Sequence, residues 1–194
     1  MSAASSSEGN EVGGTLEAGR LRLEFQRQGD RFAHTLHDCQ GEFRRLLFAS
    51  VEGDAEEIWP VSPPYQNLSI EPVEDGRSRA FLVGMAGTSH WSACIEPGLA
   101  QDELLFDIAC RVKELPRELA SRCAAGGDGH WEIQHDRATL WLEDDTAVLS
   151  VEAFLTGTTL AIDTPGWLVI SPTLPSGQRW PQTIRWGYRV RRIG

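Results

Sequence analysis

Apolar and polar side chains alternate with a period of two along most of this chain, and no other feature constrains the fold as strongly. Leu21, Leu23 and Phe25 are interleaved with Arg22, Glu24 and Gln26. Successive side chains on a strand point to opposite faces, so such a segment buries one face and wets the other. Gly29-Asp30 interrupts the pattern, and Phe32, His34 and Leu36 resume it in the returning strand of a hairpin. A third strand is expected near 43–51. The stretch Trp59-Pro60-Val61-Ser62-Pro63-Pro64-Tyr65 must then be loop or edge, because proline has no ladder donor. Leu68 and Ile70 mark a short strand, and Phe81, Val83 and Met85 share one side of the next, over 79–86. Further strands are expected near 89–96, 103–113, 130–135, 138–143, 147–155, 159–162, 167–171 and 183–193. Asp144-Asp145-Thr146 and Pro165-Gly166 supply turns between them. About a dozen short strands at this spacing predict an all-β, mainly antiparallel fold, either a β-sandwich or a partly closed barrel.

Two segments depart from that pattern. Pro116 suits the first turn of a helix and Gly126-Gly127 ends one, so 116–125 is expected to be a single short helix. Residues 1–18 carry almost no large apolar side chains and are expected to form a disordered tail, leaving one β-sandwich domain over 19–194.

Charge and cysteine usage narrow the function. The chain has 194 residues and a formal net charge of −10, which repels the phosphates of nucleic acid and the headgroups of anionic membranes. No apolar run reaches the length of a membrane span. The N-terminal MSAASSSEGNEVGG lacks the basic and apolar regions of an export signal, so a soluble, cytoplasmic protein with reduced thiols is expected. Cys39, Cys94, Cys110 and Cys123 include no close pair. His34 and His37, like His130 and His135, fall on opposite faces of a strand, so neither a metal nor another cofactor is expected.

The segment 89–112 is the most readable hairpin. Trp91, Ala93 and Ile95 share a face with Leu104, Phe106, Ile108 and Cys110 and should meet in the core. The other face carries His90, Ser92, Cys94 and Glu96 beside Leu105, Asp107, Ala109 and Arg111. A symmetric register through the Gly98–Asp102 loop sets His90 beside Arg111 and Cys94 beside Asp107. Such a platform can hold an anion on Arg111, or do acid–base work with His90 as base and Asp107 orienting it or acting as acid, while Ser92 and Glu96 bind ligand. Seven tryptophans are present, and Trp59 and Trp180, each before a proline, are the two expected at the surface, where an indole can stack on a sugar. The C-terminal Arg185, Arg189 and Arg191 form a basic stripe, expected to pair with neighbouring carboxylates.

In fold type the expected architecture is similar to large antiparallel sandwiches such as the galactose-mutarotase class, and that resemblance implies sugar binding on a polar sheet face. The leading expectation is a non-catalytic domain that binds a partner protein or small ligand. The alternative is a carbohydrate-binding or sugar-modifying domain using the polar face of the 89–112 hairpin.

Overall fold

The computed structural model of the chain describes residues 12–73, 76–174, 177 and 179–194. Among them are fifteen strands and no helix. In chain order these are β1 (Val12–Ala18), β2 (Leu21–Gln28), β3 (Arg31–Gln40), β4 (Phe43–Ser50), β5 (Tyr65–Pro72), β6 (Ser78–Ala86), β7 (Ser89–Pro97) and β8 (Glu103–Val112). There follow β9 (Ser121–Ala125), β10 (His130–Gln134), β11 (Arg137–Trp141), β12 (Ala147–Ala153), β13 (Thr158–Ile162), β14 (Leu168–Pro172) and β15 (Gln182–Arg192). A seven-stranded sheet has the order β1-β2-β3-β4-β9-β14-β13, and an eight-stranded sheet the order β10-β11-β12-β15-β8-β7-β6-β5. The all-β expectation therefore holds. Both sheets are open, so the fold is a sandwich and not a barrel.

The period of two explains the sandwich. Leu21, Leu23 and Phe25 of β2 and Leu36 of β3 are fully buried on the inner face of the first sheet. Trp91, Phe106, Trp186 and Tyr188 meet them from the second. Burying each such side chain contributes about 1.5–3 kcal/mol. Rings lock the interior: Phe106 stacks on Tyr188 with centroids 4.7 Å apart, and Phe48 of β4 meets Trp131 of β10 across the gap at 6.3 Å.

Two local expectations are corrected. Residues 12–18 are not tail: they form β1, paired antiparallel with β2, and Leu16 is fully buried there. Their composition hid this because Gly13 and Gly14 make room for neighbours instead of contributing side chains. A Cβ on Gly13 would lie 2.3 Å from the Phe32 ring, and one on Gly14 2.5 Å from Ile70. Residues 1–11 of the expected tail lie outside the described residues. Leu16→Ala is expected to cost about 2–5 kcal/mol in urea unfolding, as for other buried leucines. A cost under about 0.5 kcal/mol would show that β1 is not part of the core.

The expected helix at 116–125 does not form. Residues 121–125 are instead β9, between β4 and β14. Side-chain bonding decides the matter. Arg122 is buried, donates from Nη1 to the Val61 carbonyl at 2.5 Å and from Nε to Asp163 at 3.2 Å, and pairs with Glu118. Its amide N–H donates to Ser62 Oγ at 3.0 Å. Partners 41 and 61 residues away fix this backbone, and local propensity carries no information about them.

Candidate functional site

The outer face of the eight-stranded sheet is a lattice of cross-strand rows set by the register. One row runs Met85–His90–Arg111–Thr183 across β6, β7, β8 and β15. The next runs Asn67–Val83–Ser92–Ala109–Arg185 across β5 to β15. The third runs Ser69–Phe81–Cys94–Asp107–Gly187. Directly opposed side chains are about 5 Å apart, so each row is a continuous strip of surface.

Heights within the first two rows make a basin. Ser92 and Ala109 are short and form the floor, while Met85, Val83, His90 and Arg111 stand around it. The cavity so enclosed is about 500 Å³, with Gln66, Asn67 and Thr183 completing its edge. That volume is in the range of small-molecule sites. The wall is apolar on one side, where Val83 is 50% and Met85 49% exposed. It is polar and cationic on the other, through His90 and Arg111.

Two backbone features hold the apolar wall. Gln66 occupies a bulge in β5, between Tyr65 and Asn67. Its side-chain amide substitutes for a strand partner: Nε2 donates to the Met85 carbonyl at 3.0 Å, and Met85 N–H donates to Oε1 at 2.9 Å. Behind the wall, a Cβ on Gly84 would lie 1.8 Å from the Pro64 carbonyl oxygen, so only glycine lets β6 approach the proline-rich loop this closely.

Ion pairing separates Arg111 from Arg79, Arg185 and Arg191 of the same face. Arg185 donates to Asp107 at 2.5 Å, Arg191 Nε to Glu103 at 3.0 Å, and Arg79 Nε to Glu96 at 2.6 Å. Arg111 is exposed at the edge of the basin and has no ion-pair or hydrogen-bond partner among the described residues. It is a cation without a counter-charge on a chain of net charge −10.

The structure brings some of the sequence candidates together and separates others. His90 is directly opposite Arg111 and Cys94 opposite Asp107, the register expected of a symmetric hairpin. His90, Ser92 and Arg111 all line the basin. Asp107 lies four residues along β8 from Arg111, about 14 Å away at ordinary strand rise, and is engaged by Arg185. It does not reach His90. Glu96 is held by Arg79. Trp59 and Trp180 are half-buried, packed at the margin of the core, and neither lines the basin. Of the basic stripe, Arg185 and Arg191 are ion-paired as expected, whereas Arg189 has no ion pair among the described residues and its Nε is buried without a hydrogen-bond partner.

Val83 and Met85 are the wall residues that the strand pattern alone did not assign to the surface. Both sides of β6 are apolar, so alternation could not choose between them. The register with β7 does choose: Val83 opposes Ser92 and Met85 opposes His90, and each inherits the wet face of its partner.

Burial, with Glu96 adding to it, pushes the Cys94 thiol up, away from the thiolate that a nucleophile requires. Among the described residues no group of three or more His, Cys, Asp or Glu side chains is positioned to hold a metal ion. Nor is any helix long and apolar enough to cross a membrane. Fold and site together define an antiparallel two-sheet sandwich with an amphipathic basin on one outer face. Comparison with protein families, curated proteins and solved structures finds no match to the chain.

Proposed function

We propose that the chain is a non-catalytic binding domain and that the basin is its ligand site, taking a small anion with an aliphatic body. The observation that carries this reading is Arg111, exposed over the basin with no counter-charge while Arg185, Arg191 and Arg79 of that face are paired; Arg189, the other arginine of that face without an ion pair, does not line the basin. A guanidinium presents a planar fork that matches a carboxylate, and Val83 and Met85 offer apolar area beside it. His90 and Thr183, in the same row, supply further hydrogen-bonding groups. A catalytic reading finds less support, since among the described residues no carboxylate is hydrogen-bonded to His90, and Asp107 is engaged by Arg185. The sugar reading also finds less, because the apolar wall is aliphatic. Phe81, the aromatic side chain in the next row, already carries the Arg79 guanidinium 5.8 Å over its ring.

The test is a thermal-shift titration of the full chain with straight-chain carboxylates and their neutral amides. A ligand at about 100 times its Kd stabilises the fold by about 2.7 kcal/mol. In a domain of this size that raises Tm by about 5–10 °C. Acids are expected to produce the shift and amides not. Arg111→Gln is expected to keep the unliganded Tm and lose the response. Amides acting as well as acids, or an unimpaired Arg111→Gln, would overturn the assignment.

A further inference from the structure

A second site, largely apolar in its lining, lies inside the sandwich, apart from the basin. It is a chamber of about 10 Å³ between the sheets, lined by His34, Glu52, Tyr65, Phe106, Cys123 and Tyr188 among others. His34 comes from β3 and Glu52 from just beyond β4, on the seven-stranded sheet, whereas Tyr65 opens β5 on the other. Three atoms here are sealed from solvent and have no protein partner: His34 Nε2, Glu52 Oε2 and Tyr65 Oη. We infer that one ordered water occupies this chamber and bridges His34 Nε2, Glu52 Oε2 and Tyr65 Oη, joining the two sheets.

Size and bonding capacity both support this. Leaving a buried hydroxyl, imidazole nitrogen or carboxyl oxygen unbonded costs about 1–3 kcal/mol each, so three from residues lining one chamber point to a shared partner. The chamber's volume is enough for one water, and a buried water needs two to four polar partners. The groups also complement a single water. His34 is ringed by Phe25, Phe48 and Phe106 at 6.1–6.3 Å, and this burial pushes its pKa down to about 4, so its ring is neutral and Nε2 can accept. Tyr65 is pushed well up by burial and keeps its O–H to donate. Glu52 is pushed up to about 7 by burial, which favours the protonated carboxyl. Its Oε1 already accepts from Ser50 Oγ at 2.6 Å, leaving Oε2 for the chamber. The water therefore accepts from Tyr65 and Glu52 and donates to His34.

A crystal structure of the full chain near 1.5 Å tests the inference directly. A single solvent peak within about 2.6–3.2 Å of all three atoms is expected. A chamber without density, or the three side chains bonded to one another, would overturn it. Oxygen-17 relaxation dispersion tests it in solution: His34→Leu, which replaces the acceptor with methyl groups, is expected to lower the count of long-lived waters by about one, and Tyr65→Phe to shorten that water's residence. A folded His34→Leu protein with the wild-type count also defeats the inference. Should His34→Leu fail to fold, the crystallographic result decides.

Discussion

Trp186→Ala is expected to cost about 3–5 kcal/mol, as truncations of fully buried aromatics do. In a domain of this size that lowers Tm by roughly 6–20 °C. Trp186 lies in the middle of β15 with no exposed surface. Its ring meets Trp91 edge-on at 6.1 Å, and its Nε1 donates to Ser121 Oγ at 3.1 Å, across the gap to the seven-stranded sheet. Truncation therefore opens a cavity, removes an aromatic pair, and strips the buried Ser121 of its donor. Trp59→Ala is the control: that indole is half-buried at the margin of the core, where neighbours can close in, and its loss is expected to cost less than about 1.5 kcal/mol. Urea unfolding with unchanged m-values measures both. Equal costs would mean that β15 does not cross the centre of the sandwich.

Much of this contrast was legible before the structure. Ile184, Trp186, Tyr188 and Val190 alternate with arginines and glycine, and a period of two assigns them one face without ambiguity. The His90–Arg111 register was legible for the same reason, as a short loop fixes the pairing of its two strands. Legibility fails wherever the deciding contact is distant in sequence. The stretch from Pro116 to Gly126 has a helical outline, yet Arg122 bonds to Val61, Ser62 and Asp163 and is held extended. Among its described side chains β1 contributes one large buried one, Leu16, and its glycines record only what approaches them. Half of the candidate site was visible as the polar face of one hairpin. Its apolar wall was not, because β6 is apolar on both sides and only pairing with β7 orients it. The chamber was invisible: it gathers His34, Glu52 and Tyr65 from three separate segments, and of these only His34 belongs to a recognisable core-facing series.

The chamber leads to the second large effect, a pH dependence that the wild-type protein conceals. Glu52 has a folded pKa of about 7 against an ordinary 4.5, so its contribution is fully present below pH 4.5 and is lost as pH rises through 7. His34 behaves oppositely: its pKa falls from 6.5 to about 4, so its contribution is present above pH 6.5 and lost as pH falls towards 4. Each shift is about 2.5 units, worth about 3 kcal/mol at 1.36 kcal/mol per unit. Between pH 4.5 and 6.5 the two slopes have opposite sign and nearly equal size, so together they leave stability almost flat. Other groups around Glu52 temper its shift without reversing it: Ser50 and Arg31 lower it and Asp30 raises it. Glu52→Gln keeps an acceptor for Ser50 and a donor for the chamber but carries no charge. It is expected to match wild type within about 1 kcal/mol at pH 4.5, to exceed it by about 3 kcal/mol at pH 8, and to gain about 2 kcal/mol between pH 4.5 and 6.5 as His34 titrates alone. Urea unfolding of both proteins across pH 4.5–8 measures the difference directly, and contributions from other titrating groups cancel in it. A difference that does not change with pH would mean that Glu52 is charged in the folded protein throughout, with its carboxylate solvated outside the chamber.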